Sequence, residues 1–307
     1  MDPALLVLQT INGLQLGLLL FLVASGLTLV FGILDFVNLA HGALYMLGAF
    51  ICASFTIALD NFLLAILIAL PLTAFAGFVI ERLVARNLYQ RDHLDQVLAT
   101  FGLILVIDTC VHIFWGPAGM AVPLPDWMEG QVRITEDIVL PTYRLLIIFT
   151  GLVTAALLYW LVNRTRLGML IRAGASNRRM VGALGIDIQT LFTFVFALGA
   201  MLAGLAGMLI SPITEASIGM GNNIIITAFV VIIVGGIGSM KGAFIGAMLI
   251  GLIDTLGRSF LDSIFALFMS TAAAETSAPA VSAMLIYIIM AVVLVLRPQG
   301  LFPPKVR

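Results

Sequence analysis

The sequence predicts an all-α integral membrane protein, a polytopic helical bundle of about eight or nine transmembrane segments with one or more broken helices. Of its 307 residues, 62% are hydrophobic and 10% are charged, whereas soluble domains average roughly 45–50% apolar and about 25% charged residues. The apolar residues form continuous runs of about 20, the length that a helix needs to cross a bilayer core of roughly 30 Å. A transmembrane β-barrel would need strands of alternating polarity, so the sequence excludes that class.

Eight apolar segments of spanning length follow one another along the chain, and a ninth is shorter. The eight are Gly13–Leu34, Ala40–Leu59, Phe62–Ile80, Val97–Trp115, Arg144–Val162, Ile188–Ile210, Ala243–Leu261 and Val281–Leu296. The ninth, Ile224–Val234, covers only about half of the hydrocarbon core at a rise of ~1.5 Å per residue. It is either a crossing completed by irregular backbone or a half-helix that enters the membrane and stops.

The distribution of basic residues predicts the orientation of these segments. Basic residues collect in Glu81–Gln96, in 163–187 and in the tail after Leu296, where they are Arg297, Lys305 and Arg307. The range 116–142 carries Arg133 against four acidic residues, which are Asp126, Glu129, Glu136 and Asp137. We expect a single transmembrane domain over 1–307, and its orientation follows because short cytoplasmic loops are enriched in Lys and Arg. Its loop 163–187 would then be cytoplasmic and its loop 116–142 external, with the N-terminus outside, the C-terminus inside and nine crossings.

Two stretches of similar sequence suggest an internal repeat. His41–Ala49 resembles Lys241–Leu249, and each opens a span just after a break that contains Gly or Asn. Membrane transporters are often built from repeats with interrupted helices in matching positions. Small residues also recur in any closely packed helical bundle, so both interpretations stay open.

Several polar residues in or beside the apolar segments are candidates for a role in function. Asn38 is expected to cap the following helix. His41 is interpreted as a satisfied residue at the membrane interface or, less favoured, as a ligand. Asp108 and Asp254 are functional candidates because a carboxylate is costly in lipid, although pairing or an interfacial depth would explain them equally well. No second His, Cys or carboxylate lies at ligand spacing from His41, so no metal site is predicted.

The sequence gives no support for catalysis by this chain. Gly235–Gly242 has a passing likeness to a phosphate-binding loop, but that loop needs Gly-Lys followed by Ser or Thr, and here Lys241 stands between Met240 and Gly242. No Gly-x-Ser-x-Gly elbow and no nucleophile–base set is found, so no catalytic residue is predicted. The segment is interpreted as a flexible break at the cytoplasmic face or as a tight loop between helices.

Four stretches, in matching order over essentially the whole chain, resemble the permease subunits of ATP-binding-cassette (ABC) importers for branched-chain amino acids. They are Asn-Leu-Ala-His-Gly at 38–42 with Tyr45–Ala49, then Arg91–Gly102, then Gly168–Asp187, and finally Val234–Gly242 with Arg-Pro-Gln-Gly-Leu-Phe at 297–302. The length and the Asn-Leu-Ala-His-Gly stretch are similar to the shorter of the two permeases in such importers.

The resemblance implies the partners and the energy source. A second homologous permease would pair with this chain as a heterodimer, two cytoplasmic ABC ATPase subunits would use ATP, and an external binding protein would deliver Leu, Ile or Val. This chain would bind no cofactor and no nucleic acid, and it would lie in the bacterial inner membrane. The alternatives are the same importer class carrying other amino acids, short amides or urea, and an ion- or proton-coupled secondary transporter.

The resemblance also assigns candidate residues to two roles. The loop that docks on the ATPase is similar to a Glu-Ala-Ala…Gly pattern, but it has Arg-Met-Val at 179–181. Its candidate coupling residues are Arg172, Ala173, Gly174, Arg178, Arg179, Gly182 and Gly185. A passage for a zwitterion with an apolar tail needs polar and apolar walls, and the candidates for it are Ser25, Thr28, Asn38, His41, Thr100, Thr227, Gly235, Gly236 and Ser239.

Overall fold

The computed structural model describes residues 3–133 and 138–303, which are almost entirely helical. The helices are α1 (Pro3–Leu34), α2 (His41–Leu59), α3 (Phe62–Leu83), α4 (His93–Trp115), α5 (Thr142–Arg164), α6 (Arg166–Ser176), α7 (Arg178–Ala183), α8 (Ile188–Thr214), α9 (Met220–Gly235), α10 (Met240–Phe265) and α11 (Thr271–Leu296). Within the described ranges, eight of them are long and apolar enough to span a membrane, and α9 is a shorter apolar helix. The predicted fold class is therefore confirmed. The residues Glu136, Asp137, Lys305 and Arg307, which entered the orientation argument, lie outside the described ranges.

The bundle has a buried centre and an apolar outer surface. Most residues of α1, α2 and α8 are buried, whereas only a minority of the residues of α3, α4, α5 and α11 are buried. The exposed side chains on these outer helices are themselves large and apolar, as at Leu67, Phe75 and Phe149. Such a surface suits contact with lipid tails, which are as apolar as Leu.

Glycine contacts give the relative directions of the central helices. Along α1, Gly13 packs against Leu252, Gly17 against Met248 and Gly32 against Gly238, so α10 runs antiparallel to α1. Gly26 of α1 packs against Gly199, while Ile33 and Leu191 both lie beside Gly174, so α8 is also antiparallel to α1. Because α8 and α10 run in the same direction, α9 must carry the chain back between them. The ninth segment is therefore a crossing in the topological sense, although it has only 16 residues.

The chain is irregular at membrane depth between α1 and α2. His41, the first residue of α2, makes a 3.1 Å hydrogen bond between its Nε2 and the carbonyl oxygen of Val23. Val23 lies eleven residues before the end of α1, a distance of about 16 Å along a helix. The backbone amides of Val37 and Leu39 donate to the side chains of Gln96 (3.0 Å) and Thr100 (3.3 Å). These bonds satisfy backbone groups that lipid could not satisfy.

The short helix α9 is held at both ends by the two similar sequence stretches. Gly42 packs against the backbone of Gly221 at the start of α9, and Gly242 packs against the backbone of Gly235 at its end. No side chain fits at either contact, so these glycines set how closely the helices approach. The two stretches thus open α2 and α10 as expected, and each contributes its Gly to a contact with α9.

The connection between α4 and α5 contains a small hairpin that the sequence did not predict. Strands β1 (Gln131–Arg133) and β2 (Val139–Pro141) pair antiparallel, with Val132 opposite Leu140. The same loop reaches across to the α8–α9 connection through a bridge between Met120 and Ala216. α10 continues to Phe265, four residues beyond the predicted segment Ala243–Leu261. Asp254 forms a 3.0 Å ion pair with Arg258, one turn along the same helix.

Candidate functional site

Two short helices form the predicted docking loop, and polar caps define both. The Thr165 side chain accepts from the amide of Gly168 to begin α6, and the Asn177 side chain accepts from Met180 to begin α7. Gly185 follows α7 with φ of +82°, a left-handed conformation that favours glycine. Gly185 thus follows the last turn of this helix and allows the chain to leave it. The loop is therefore an ordered helix–turn–helix rather than a plain connector.

The arginine side chains of this loop point in different directions. Arg172 donates to the carbonyl of Val162 at the end of α5, and the Arg178 guanidinium lies 5.5 Å from the centroid of the Phe192 ring on α8. Arg179 is exposed, and the part of the chain that the structure describes offers it no ion pair. The side chain of Arg179 is thus exposed and, within the described ranges, free of contacts of this kind, whereas Arg172 and Arg178 hold the loop against the spans.

The remaining coupling candidates of the loop are Ala173, Gly174 and Gly182, and they contact other parts of this chain. The carbonyl of Ala173 accepts from Asn177 (2.9 Å), and that of Gly182 accepts from Gly185 (3.0 Å). Gly174 is buried beside Leu191 and Ile33. The loop also exposes two large apolar side chains, Met180 at 58% and Leu184 at 73%. Such exposure outside the spans is typical of a docking surface.

A buried carboxylate, Glu81, lies at the centre of a polar network at the end of α3. Its Oε2 accepts from the Thr193 hydroxyl (2.8 Å), and Arg86 pairs with it at 3.3 Å. Its Oε1 accepts from the hydroxyl of Tyr89 (3.1 Å). Burial, followed by the negative charge of Glu81, raises the pKa of Tyr89. This network ties the end of α3, the 84–92 connector and α8 together, and the sequence analysis missed it because Glu81 reads as an ordinary charge at the end of a span.

Asp187 caps α8 beside this network. Its carboxylate accepts from the amide and the hydroxyl of Thr190 and from the amide of Gln189. These hydrogen bonds, led by that from the Thr190 hydroxyl, lower the pKa of Asp187, with a smaller contribution from Arg86. The cap fixes where the docking loop returns to the membrane.

Five pathway candidates lie together around the break between α1 and α2, and all of them are buried: Ser25, Thr28, Asn38, His41 and Thr100. The Ser25 hydroxyl donates within its own helix to Leu22, and Thr100 donates to Gln96 and accepts from Leu39. The N-cap of α2 is Ala40, with no side-chain cap, so the prediction that Asn38 caps this helix is wrong. His41 lies deep in the bundle, not at the membrane interface as was expected. Within the described residues, the amide of Asn38, the hydroxyl of Thr28 and Nδ1 of His41 have no hydrogen-bond partner.

Three further candidates lie at the other break, where α9 turns into α10. Gly235 is buried against Gly242, Gly236 has a φ of +110°, and the Ser239 side chain caps α10 by accepting from Gly242. The C-terminal segment seals this turn, because the amides of Leu301 and Phe302 donate to the carbonyls of Val234 and Gly235, each at 2.9 Å. The break is therefore a tight, ordered loop. The interpretation as a flexible break is not supported by this geometry.

Thr227, the ninth candidate, lines a cavity of about 440 Å³ at the start of α9. Polar side chains of Thr214, Ser217, Asn223 and Thr227 share its wall with apolar ones, which are Ile210, Ile218, Met220 and Ile224. The other eight candidates do not line this cavity, although Tyr45 of α2 does. Next to Asn223, the side chain of Asn222 lies near the carboxylate of Asp108 on α4. Asn222 and Asn223 could not be selected from the sequence, because both precede the apolar run Ile224–Val234 that predicted this segment.

Comparison with known proteins identifies the family. The family described as "Branched-chain amino acid transport system / permease component" matches residues 9–294, nearly the whole chain. The chain belongs to this family. It is 30% identical over 262 residues to the high-affinity branched-chain amino acid transport system permease protein BraD of Pseudomonas aeruginosa, with 81% of this chain and 85% of that protein covered.

More distant relatives extend the comparison. The chain is 28% identical to the permease protein LivH of Salmonella typhimurium, also named for high-affinity branched-chain amino acid transport, over 83% of this chain and 87% of that protein. It is 27% identical to the ribose import permease protein RbsC of Escherichia coli, over 76% of this chain and 72% of that protein. No solved structure matches the chain. The family and the helical bundle make this permease a multi-pass membrane protein.

Proposed function

We propose that this permease is the membrane-spanning subunit of an ABC importer that carries Leu, Ile and Val. The observation that carries the proposal is the family match along residues 9–294, together with relatives named for high-affinity branched-chain amino acid transport. Separate ATPase subunits use the ATP, and this chain contributes no catalysis. An external binding protein delivers the substrate, and a second homologous permease completes the passage in the inner membrane, with the C-terminus of this chain in the cytoplasm.

The geometry of the docking loop supports coupling to an ATPase. Arg179, Met180 and Leu184 combine one free cation with two exposed apolar side chains on a short helix. Such a surface would fit a groove that has apolar walls and an acidic rim. Arg178 holds the loop against α8, and the buried Glu81 in turn ties α8 to α3. A push on α7 would thus be transmitted to the spans rather than absorbed by a loose connector.

The cavity at the start of α9 supports a passage for an amino acid with an apolar tail. Its hydroxyl and amide groups suit the charged head, and its Ile and Met side chains suit a branched aliphatic tail. At about 440 Å³, it falls within the usual range of small-molecule sites. Weak contacts are sufficient here, because the external protein provides the tight binding step.

One of the relatives is named as a ribose permease, so the identity of the substrate has to be tested. A relative named for sugar import has a similar sequence over most of its length, so the architecture alone does not select amino acids. If ribose rather than leucine is taken up by the assembled importer, the branched-chain assignment is wrong while the importer assignment stands. A proton-coupled carrier is the second candidate, and the half-buried Asp108 carboxylate is the observation that favours it.

Release of the ATPase subunits tests the docking role. The double variant R179E/L184D should insert normally but lose most of the co-purified ATPase, because it repels an acidic rim and removes an apolar contact. R166E is the matched control, since Arg166 is also exposed but begins α6. Co-purification of the double variant at the level of the control would contradict the docking role.

A further inference from the structure

A cavity of about 720 Å³ opens beside the docking loop, and its polar lining consists of hydrogen-bond donors suited to an anion. Three guanidiniums line it, those of Arg86, Arg91 and Arg178, and so do the side-chain amides of Asn87, Gln90 and Gln189. Its lining contains no carboxylate. A pocket with this lining is chemically selective for an anion that accepts several hydrogen bonds, such as a phosphate group.

Two of the three guanidiniums have no carboxylate bound to them. Arg86 is neutralised by the buried Glu81 behind the cavity wall. Within the described ranges, Arg91 and Arg178 form no ion pair, and Arg178 is held in place by the face of the Phe192 ring. The nearest acids outside the wall are Asp92, which follows Arg91 in sequence, and Asp187, whose oxygens are committed to Thr190 and Gln189. The cavity therefore keeps an excess of positive charge.

The position of the cavity points to a lipid as the source of the anion. Its walls come from the 84–92 connector, from the first residue of α7 and from the first turn of α8, where the spans end. Two apolar side chains that flank the connector, Leu83 and Leu94, are each 70% exposed and offer a surface along which acyl chains would lie. Basic pockets between helices at the cytoplasmic face of a membrane bind anionic headgroups.

We propose that this cavity binds the phosphate headgroup of an anionic lipid. The headgroup phosphate would accept from Arg91 in the α3–α4 connector and from Arg178 in α7. These residues lie on different elements, so one bound lipid would tie the docking helix to the end of α3. This consequence for coupling rests on the proposed function, whereas the lipid site itself does not.

Native mass spectrometry tests the site without ATP or transport, so its failure is distinct from failure of the importer assignment. Delipidated transporter, purified with its partner subunits, is titrated with phosphatidylglycerol, and the lipid retained per copy of this chain is counted. We expect one tightly retained molecule, and R91Q should weaken its retention roughly tenfold through loss of a charge-assisted hydrogen bond. The Arg91 side chain is exposed and makes no hydrogen bond within the described residues, so the variant should fold.

R82Q is the matched control. Arg82 lies at the same end of α3 and stacks at 6.0 Å on the Phe78 ring, but it does not line the cavity. Lipid retention in R82Q should equal that in the unchanged protein. An equal loss of retention in R82Q and R91Q would contradict the proposal, because it would show that the effect comes from general surface charge. A second arm adds inorganic phosphate to the lipid-loaded complex.

Three further outcomes would overturn the proposal. The first is displacement of the lipid by inorganic phosphate at equal concentration, which would assign the cavity to a soluble anion. The second is retention by the permease pair alone but not by the complex with its ATPases, which would assign the cavity to the docking interface. The third is the absence of retained lipid in every arm.

Discussion

At the residue scale, the contact between Gly42 and Gly221 leaves no room for a side chain. A methyl group on Gly42 would clash with the carbonyl of Gly221. We therefore expect G42A to destabilise the permease by about 1–3 kcal/mol, the usual cost of overpacking. The measurement is the thermal unfolding midpoint of the purified protein in detergent. G102A is the control, because an added Cβ at Gly102 in α4 meets no atom within 4 Å; equal midpoints for the two variants would contradict this packing.

Charge positions at this scale could be predicted from the sequence, but their partners could not. The basic cluster at 163–187 was evident, yet whether Arg178 or Arg179 points outward depends on Phe192, which is 13 or 14 residues away along the chain. Glu81 reads as a terminal charge until Thr193 and Tyr89 come together around it. Such contacts between distant residues depend on the packing of whole helices, which one sequence does not reveal.

At the element scale, the turn after α7 determines the shape of the docking loop. Gly185 has a φ of +82°, and an L-residue there costs roughly 1–2 kcal/mol. G185A should therefore distort the end of α7 and weaken ATPase binding more than G182A, since Gly182 is not in a left-handed conformation. Affinity of the solubilised permease for its ATPases, measured by surface plasmon resonance, checks this. Equal affinities for the two variants would show that the turn does not govern docking.

At this scale, the long helices could be predicted more completely than the irregular segments between them. The apolar runs indicated every long helix, because each must match the thickness of the hydrocarbon core. The depth of the segment 35–40 could not be predicted, since a short polar stretch reads as a surface turn until Gln96 and Thr100 are seen to bind it. The hairpin Gln131–Arg133 with Val139–Pro141 was likewise missed, because three-residue strands carry too little periodicity.

At the scale of the whole molecule, the path of the chain fixes which loops share a side of the membrane. The hairpin and the docking loop lie at opposite ends of α5, a helix long enough to span the membrane, so they are expected on opposite sides. In a background carrying C52A and C110A, a cysteine introduced by G130C should react with a membrane-impermeant maleimide in intact cells. One introduced by S176C should react only after permeabilisation. Both positions are exposed, and the reverse pattern would overturn the orientation.

The family could be predicted from the sequence because its motifs extend over the whole chain, whereas the passage could not. Eight of the nine pathway candidates are packed against the protein's own backbone or side chains, and the polar cavity wall comes mostly from residues that were not selected. In the proposed importer, a passage between two permeases would be built from both surfaces, so the sequence of one chain would contain only half of the information.

Leucine uptake into proteoliposomes tests most directly whether this permease is driven by separate ATPases. With the second permease, the ATPases and the external binding protein present, uptake should require ATP and persist when a protonophore collapses the proton gradient. This permease reconstituted alone should accumulate nothing. Uphill leucine uptake by the permease alone, lost on addition of the protonophore, would contradict the account and assign the protein to the proton-coupled carriers.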